Sequence, residues 1–188
     1  MKRISLTVAA ALAALALSAS TSSAQSSKAI SLGISAGAVI PVGDFGDFYS
    51  TGYNGTVSLG FRSVGSPLGI RIDGMYNKMD VKNDATITLP GFGIVESASI
   101  MSANANLVYS LPGTGINPYL IGGGGIYSTK LHGDGFDTDA ENKFGLNGGI
   151  GASFPLSGFN AFLEARFHHI FTDESATQFI PVTFGISF

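Results

Sequence analysis

The feature that most constrains this chain is a period of two, carried to its last residue. Ile180, Val182, Phe184, Ile186 and Phe188 share one parity, and Pro181, Thr183, Gly185 and Ser187 share the other. Successive side chains of a strand point to opposite faces, so 179–188 reads as a strand with one apolar face and one small, polar face. Seven earlier stretches repeat the pattern. Any fold built from them must give eight apolar faces a common environment.

Strand one spans 30–40, with Ile30, Leu32, Ile34 and Ile40 on one face and Ser31, Gly33, Ser35 and Gly37 on the other. Pro41 is expected to end it. Strand two is 53–62, with the alternation running through Asn54-Gly55, which is therefore no turn. Strand three is 68–77, strand four 98–111, strand five 118–129, strand six 143–154 and strand seven 159–171. In strand five Tyr119, Ile121 and Tyr127 are expected to face outward, around the glycines Gly122 to Gly125. Residues 86–89 are expected to extend a hairpin beyond the rest of the sheet.

The connections alternate in length. Residues 41–52, 78–97, 130–142 and 172–178 are long, and 63–67, 112–117 and 155–158 are short. Eleven of the 13 acidic residues lie in the long connections and none in the short ones. Aromatic residues gather at strand ends, with Phe61, Tyr109, Tyr119, Phe154, Phe159 and Phe188 by the short turns. Tyr53, Tyr76, Tyr127, Phe144, Phe171 and Phe179 lie by the long loops. Ten residues at about 3.3 Å each, tilted by about 40°, rise about 25 Å, the height of the apolar band of an outer-membrane barrel.

The amino terminus places Lys2 and Arg3 before an uncharged apolar run from Ile4 to Leu17, followed by Ser22-Ser23-Ala24. This is the pattern of a secretory signal peptide, residues 1–24, with cleavage before Gln25. The run is short of the roughly 20 residues that span a bilayer as a helix. The domain proper is then 25–188. Its eight basic residues against 13 acidic ones give a net charge of −5, which argues against a nucleic-acid partner. There is no cysteine, hence no disulfide framework, no thiol chemistry and no lipid anchored on a cysteine. Only 12% of residues are charged, about half the usual share of a soluble domain.

A soluble eight-stranded barrel also alternates, with its apolar side inside. Here the polar face is mostly Gly, Ser and Asn, small enough for a narrow lumen, and there is no Trp for the Gly-x-Trp feature of lipocalins. The charged strand residues Arg62, Arg71, Asp73, Glu164 and Arg166 all sit on that polar face. On a lipid face each Arg near the midplane would cost roughly 2–4 kcal/mol. The expected fold is therefore all-β, an eight-stranded antiparallel up-and-down transmembrane β-barrel. The five charged residues are expected to form a network in its interior.

The strand count, the terminal Phe188 and three local segments, Pro41-Val42-Gly43-Asp44-Phe45, Pro118-Tyr119 and Glu164-Ala165-Arg166-Phe167, resemble the outer membrane protein β-barrel domain family, akin to the small OmpA- and OmpX-type barrels. The resemblance covers the whole chain after the leader. It implies an outer-membrane location with both termini in the periplasm and the long acidic loops external. It implies Phe188 as the signal read by the outer-membrane insertion machinery. The implied partners are outer-membrane lipid and lipopolysaccharide, with a surface ligand at the loops left unidentified. The expected role is structural or surface-interacting, with no enzymatic activity, no cofactor and no metal. The alternatives are a small-solute or ion pore and a lipid A-modifying enzyme.

Three stretches carry candidate chemistry. Arg166-Phe167-His168-His169-Ile170-Phe171 resembles the segment of lipid A deacylases in which an outward His is followed two residues on by a nucleophilic Ser. His169 holds the His position, but Phe171 stands where the Ser should be, and a phenyl ring attacks no ester. Gly122 to Gly125 lacks the Gly-Lys-Ser/Thr of a phosphate loop and reads as close strand packing. Asp134, Asp137, Asp139 and Glu141 miss the spacing of a Ca²⁺-binding EF-hand and read as a solvated acidic loop.

Overall fold

The computed structural model describes residues 30–89, 93–113, 115–133, 135–172 and 176–188. The segment 1–24, expected as a signal peptide, lies outside them, as does Asp134. The described elements are β1 (Ile30–Val42), α1 (Gly43–Phe48), β2 (Gly52–Arg62), β3 (Leu68–Asp80), β4 (Ile87–Leu89) and β5 (Gly93–Ser110). After these come β6 (Asn117–Gly133), β7 (Phe136–Asp137), β8 (Glu141–Pro155), β9 (Asn160–Ile170) and β10 (Thr177–Ser187).

Eight of these strands are long and pair antiparallel with their chain neighbours, β1 to β2, β2 to β3, β3 to β5, β5 to β6, β6 to β8, β8 to β9 and β9 to β10. β10 then pairs with β1, from Gly33↔Ser187 to Val42↔Gln178, and closes the barrel. Closure leaves no sheet edge, which lets strands lie in hydrocarbon, where a bare N–H or C=O would go unsatisfied. β4 and β7 are short strands on the extensions of β5 and β6 into the loops. Of the segment 86–89 expected to extend a hairpin, Ile87–Leu89 does so.

Strands one and three run further than their sequence limits, and Pro41 does not stop β1. Its ring turns inward and it is buried, opposite Phe179. The segment after it, expected as plain loop, forms α1, and Tyr49 bridges to Val81. The short turns pass through Gly65 and Gly158, whose φ values of 79° and 95° suit glycine.

Outward residues are apolar and bare. Ile150, Leu107, Met101 and Phe184 each keep about three-fifths of their surface, at 63%, 62%, 61% and 59%. Inward residues are buried and often polar, among them Asn54, Asp73, Asn77, Asn104, Glu164, Arg166 and His168. An inside-out distribution of this extent belongs to a protein whose outer solvent is lipid.

β6 inverts the expectation for strand five. Tyr119, Ile121 and Tyr127 point inward and are buried, and Leu120 and Ile126 point outward. The cause lies on β8. A Cβ at Gly145 would stand 2.8 Å from the Tyr127 ring, and one at Gly151 would collide with the ring and hydroxyl of Tyr119. The bare backbone of β8 makes room for two rings inside the barrel, where their hydroxyls find partners. Phe179 is buried inside as well. These three aromatics therefore leave the expected girdles, while Tyr53, Tyr76, Tyr109, Phe144 and Phe171 stay outside.

Candidate functional site

The interior is layered from the turn end to the loop end. At the turn end is a cavity of about 1050 Å³, lined in part by Ser31, Ser58, Arg62, Asn117, Ser153 and Phe188. Its small residues come from the polar face of each strand, and their size leaves the space.

Above it the interior closes on four charges. Arg71 and Asp73 lie on β3 two residues apart, and Glu164 and Arg166 are spaced likewise on β9, so each pair shares the inward face. Arg71 grips Glu164 with two parallel bonds, Nη1 to Oε2 at 2.8 Å and Nη2 to Oε1 at 2.7 Å. Arg166 donates from Nη1 to Asp73 Oδ2 at 2.7 Å, and its Nε lies 2.9 Å from Glu164 Oε1. Arg71 also donates from Nη2 to Asp73 Oδ2 at 3.2 Å, and its Nε lies 2.9 Å from Asp73 Oδ1, misaligned for a second hydrogen bond. Tyr119 donates its hydroxyl to Glu164 Oε2 at 2.7 Å, and Asn106 donates Nδ2 to Asp73 Oδ2 at 2.9 Å. The four charges sum to zero.

The fifth residue expected in this network stands apart. Arg62 ends β2 beside the short turn and is exposed, with the inward parity but at the rim. Water solvates it there, and it makes no ion pair with the other four. Sequence parity gives the face of a residue but not its depth. Tyr119 and Asn106 join the network unexpected. Asn106 was legible by its parity, and Tyr119 only through the glycines of β8.

The next layer is amide-rich. Asn54 donates Nδ2 to Asn77 Oδ1 at 2.6 Å, and Thr56 donates to Asn54 Oδ1 at 3.2 Å. Gly123 and Gly125 of the glycine run face this side. A Cβ at either would lie 2.6 Å from the Oδ1 of Asn106 or Asn104, so the run serves close packing. The Tyr127 hydroxyl lies 2.8 Å from His168 Nδ1, and the His168 ring stacks on Phe179 at 4.9 Å. Over these sits an apolar cap of Val39, Tyr49, Met79, Ile100, Ile170 and Phe179, with Phe45 of α1 packed on it. Burial pushes the Tyr49 phenol up to about 12, so it stays neutral at physiological pH.

The His169–Phe171 segment holds no assembled chemistry. His169 is half-buried with the outward parity, and Gln178 Nε2 lies 3.0 Å from its Nδ1. A neutral amide at that nitrogen gives no carboxylate to stabilise an imidazolium. Phe171 stacks on Phe144 instead of offering a hydroxyl. Asp137 pairs with His132, Glu141 pairs with Lys143, and among the described residues no group of three or more His, Cys, Asp or Glu could hold a metal ion. Phe188 exchanges two backbone bonds with Leu32, at 2.8 and 3.1 Å, and its ring lies against Phe159.

The arrangement has solved counterparts. The chain resembles Neisserial surface protein A at 15% identity, with a TM-score of 0.67 over 87% of this chain and 98% of that one. It also resembles a major outer membrane protein from Thermus thermophilus, at 17% identity and a TM-score of 0.52 over 85% and 98%. At such identities the likeness is one of fold. No curated protein gives a significant match. The family model of the outer membrane protein beta-barrel domain matches residues 7–188. With its closed eight-stranded wall and its apolar exterior, the chain belongs to that family of outer-membrane barrels.

Proposed function

We propose that this protein is a closed outer-membrane scaffold with a structural or surface-interaction role, which presents its acidic loops outside the cell and conducts no solute. The observation that carries the reading is the filled interior. A neutral four-charge cluster and an apolar cap stand in series between the two ends of the barrel. Eight strands give a lumen that side chains can fill, and the cavity at the turn end stops at Arg71 and Tyr119. The pore alternative has no continuous path to support it. The deacylase alternative at His169 lacks a nucleophile.

The orientation follows the long-loop, short-turn asymmetry of such barrels, with both termini in the periplasm. Phe188 is the assembly signal in this reading, and lipid with lipopolysaccharide surrounds the wall. The test is planar-bilayer recording with the folded protein, paired with epitope tags at Ala85 and Gly113 in intact cells. The expected result is no steady conductance, with the Ala85 tag reachable and the Gly113 tag not. Stable single-channel steps would replace the scaffold with a pore, and inverted labelling would reverse the orientation.

A further inference from the structure

On the outer wall, at the loop end, three side chains line up across β5, β6 and β7. Ser99 Oγ lies 2.8 Å from His132 Nε2, and His132 Nδ1 lies 2.6 Å from Asp137 Oδ1. The register builds the row. His132 faces Ser97 across the β5–β6 ladder, so it reaches Ser99 diagonally, and it faces Asp137 directly across the β6–β7 ladder. Ser99 has the parity of the lipid-facing Met101 and Leu107, and His132 that of Ile126. Asp137 stands mostly in water, His132 is about one-third exposed, and Ser99 is tucked under its neighbours.

Two further features bear on the row. Ser99 sits in register between Lys78 of β3 and Lys130 of β6, which places two ammonium groups on its face. One row nearer the membrane centre, Met101 begins the exposed apolar belt. A nucleophile, a base, a carboxylate that orients the base, cationic flanks and an acyl-compatible surface thus meet at the level where lipid headgroups lie.

We infer that Ser99, His132 and Asp137 form a serine-esterase site that cleaves acyl esters of phosphate-bearing membrane lipids. The Asp137 contact assigns the Nδ1 proton to His132 and leaves Nε2 as the base. Ser99 Oγ bonds to the ester carbonyl carbon while its proton passes to Nε2. The bond from that carbon to the lipid alcohol breaks, and the alcohol takes the proton from Nε2. Water then adds to the acyl-serine through the same base, the acyl carbon–Oγ bond breaks, and the proton returns to Oγ. The sum is ester plus water to fatty acid plus alcohol. Lys78 and Lys130 hold the phosphate, and Asp137 acts through His132 as a positioning residue. The site is independent of whether the lumen conducts and is remote from the His169–Phe171 segment.

The experiment uses the full folded chain in detergent, with folding verified for every variant by heat-modifiable migration. A fluorophosphonate probe is followed by peptide mapping, and fatty-acid release is measured from phosphatidylglycerol vesicles, from lipid A and from a neutral nitrophenyl ester. The expected result is probe adduct on Ser99 and fatty-acid release from at least one of the two phosphate-bearing lipids, which names the source. Release should fall to background in S99A and H132A and stay unchanged in H169A. D137N should slow release by up to about 10⁴-fold, and D137E should restore part of that rate. K78Q with K130Q should raise KM for the anionic lipid and spare the neutral ester. Absence of adduct and of release from folded protein would overturn the site. Release that survives S99A would do the same, and equal loss on both ester types in the lysine variant would overturn the substrate class.

Discussion

Glu164 shows how finely the interior is balanced. It accepts both Nη groups of Arg71, the hydroxyl of Tyr119 and the approach of Arg166 Nε. Removing it leaves two guanidinium groups facing the single carboxylate of Asp73. Breaking a buried pair by removing one partner costs about 3–5 kcal/mol, whereas an intact pair is close to neutral. E164A should therefore lower the unfolding free energy of the barrel in detergent by about that amount, and an unchanged denaturant midpoint would mean that the network braces nothing. R62A should change the unfolding free energy by less than about 0.5 kcal/mol, as surface changes do. Four members of this network were legible because two charged pairs, each at a spacing of two, declare one face. Arg62 was misplaced because parity carries no depth. The Ser99–His132–Asp137 row was not legible, because it depends on a diagonal across one ladder and on a two-residue strand inside an acidic loop.

At the scale of elements, the strands outrun their apolar alternation. β5 spans Gly93–Ser110 and β6 spans Asn117–Gly133, and the added residues form the paired bases of the loops. Hydrogen bonding continues where hydrophobic patterning stops, which is why the sequence placed the strand cores well and their loop-side ends poorly. α1 was hidden for a different reason. Six residues containing two glycines carry no helical period, and the helix is held by Phe45 on Tyr49, with ring centroids 4.4 Å apart. The Tyr49 phenol is held at about 12, above its ordinary value near 10. A raised phenol stabilises the packed form fully below pH 10 and loses that contribution as pH rises toward 12. The cap should loosen in that window, read as tyrosinate absorbance together with new protease cuts between α1 and β2, while the barrel migrates as folded. Cuts appearing at neutral pH would refute this. At the other end, deleting Phe188 removes two backbone bonds to Leu32, each worth about 0.5–1.5 kcal/mol net. That loss is small for a closed barrel. Deletion should therefore lower the outer-membrane yield in cells far more than it lowers the stability of purified, refolded protein. Equal losses in both would assign Phe188 to packing alone.

For the whole molecule the question is what closes the barrel to solutes. Eight strands, their sequential pairing and the outward apolar face followed from the period of two, because only a closed antiparallel wall satisfies every backbone group in lipid. The contents of the lumen did not follow in full. The polar face predicts Asn, Ser and charge inside, and these occupy the turn end and the middle. The loop end is instead capped by Val39 and Ile100, apolar residues on the inward parity of expected strands, by Met79 of a strand extension, and by Phe179, an aromatic expected outside. Two barriers in series make a prediction that one barrier does not. E164A alone disturbs the charged layer but leaves the apolar cap intact, and a dry constriction excludes hydrated ions. M79A with F179A opens the cap but leaves four mutually neutralising charges in place. Neither variant should carry steady current in a planar bilayer. Only the combination of all three substitutions should, at a stability still sufficient for heat-modifiable folding. Current through E164A alone would show that the apolar cap seals nothing, and a silent triple variant would show that a further layer, with the Asn54–Asn77 amides first in line, holds the barrel shut.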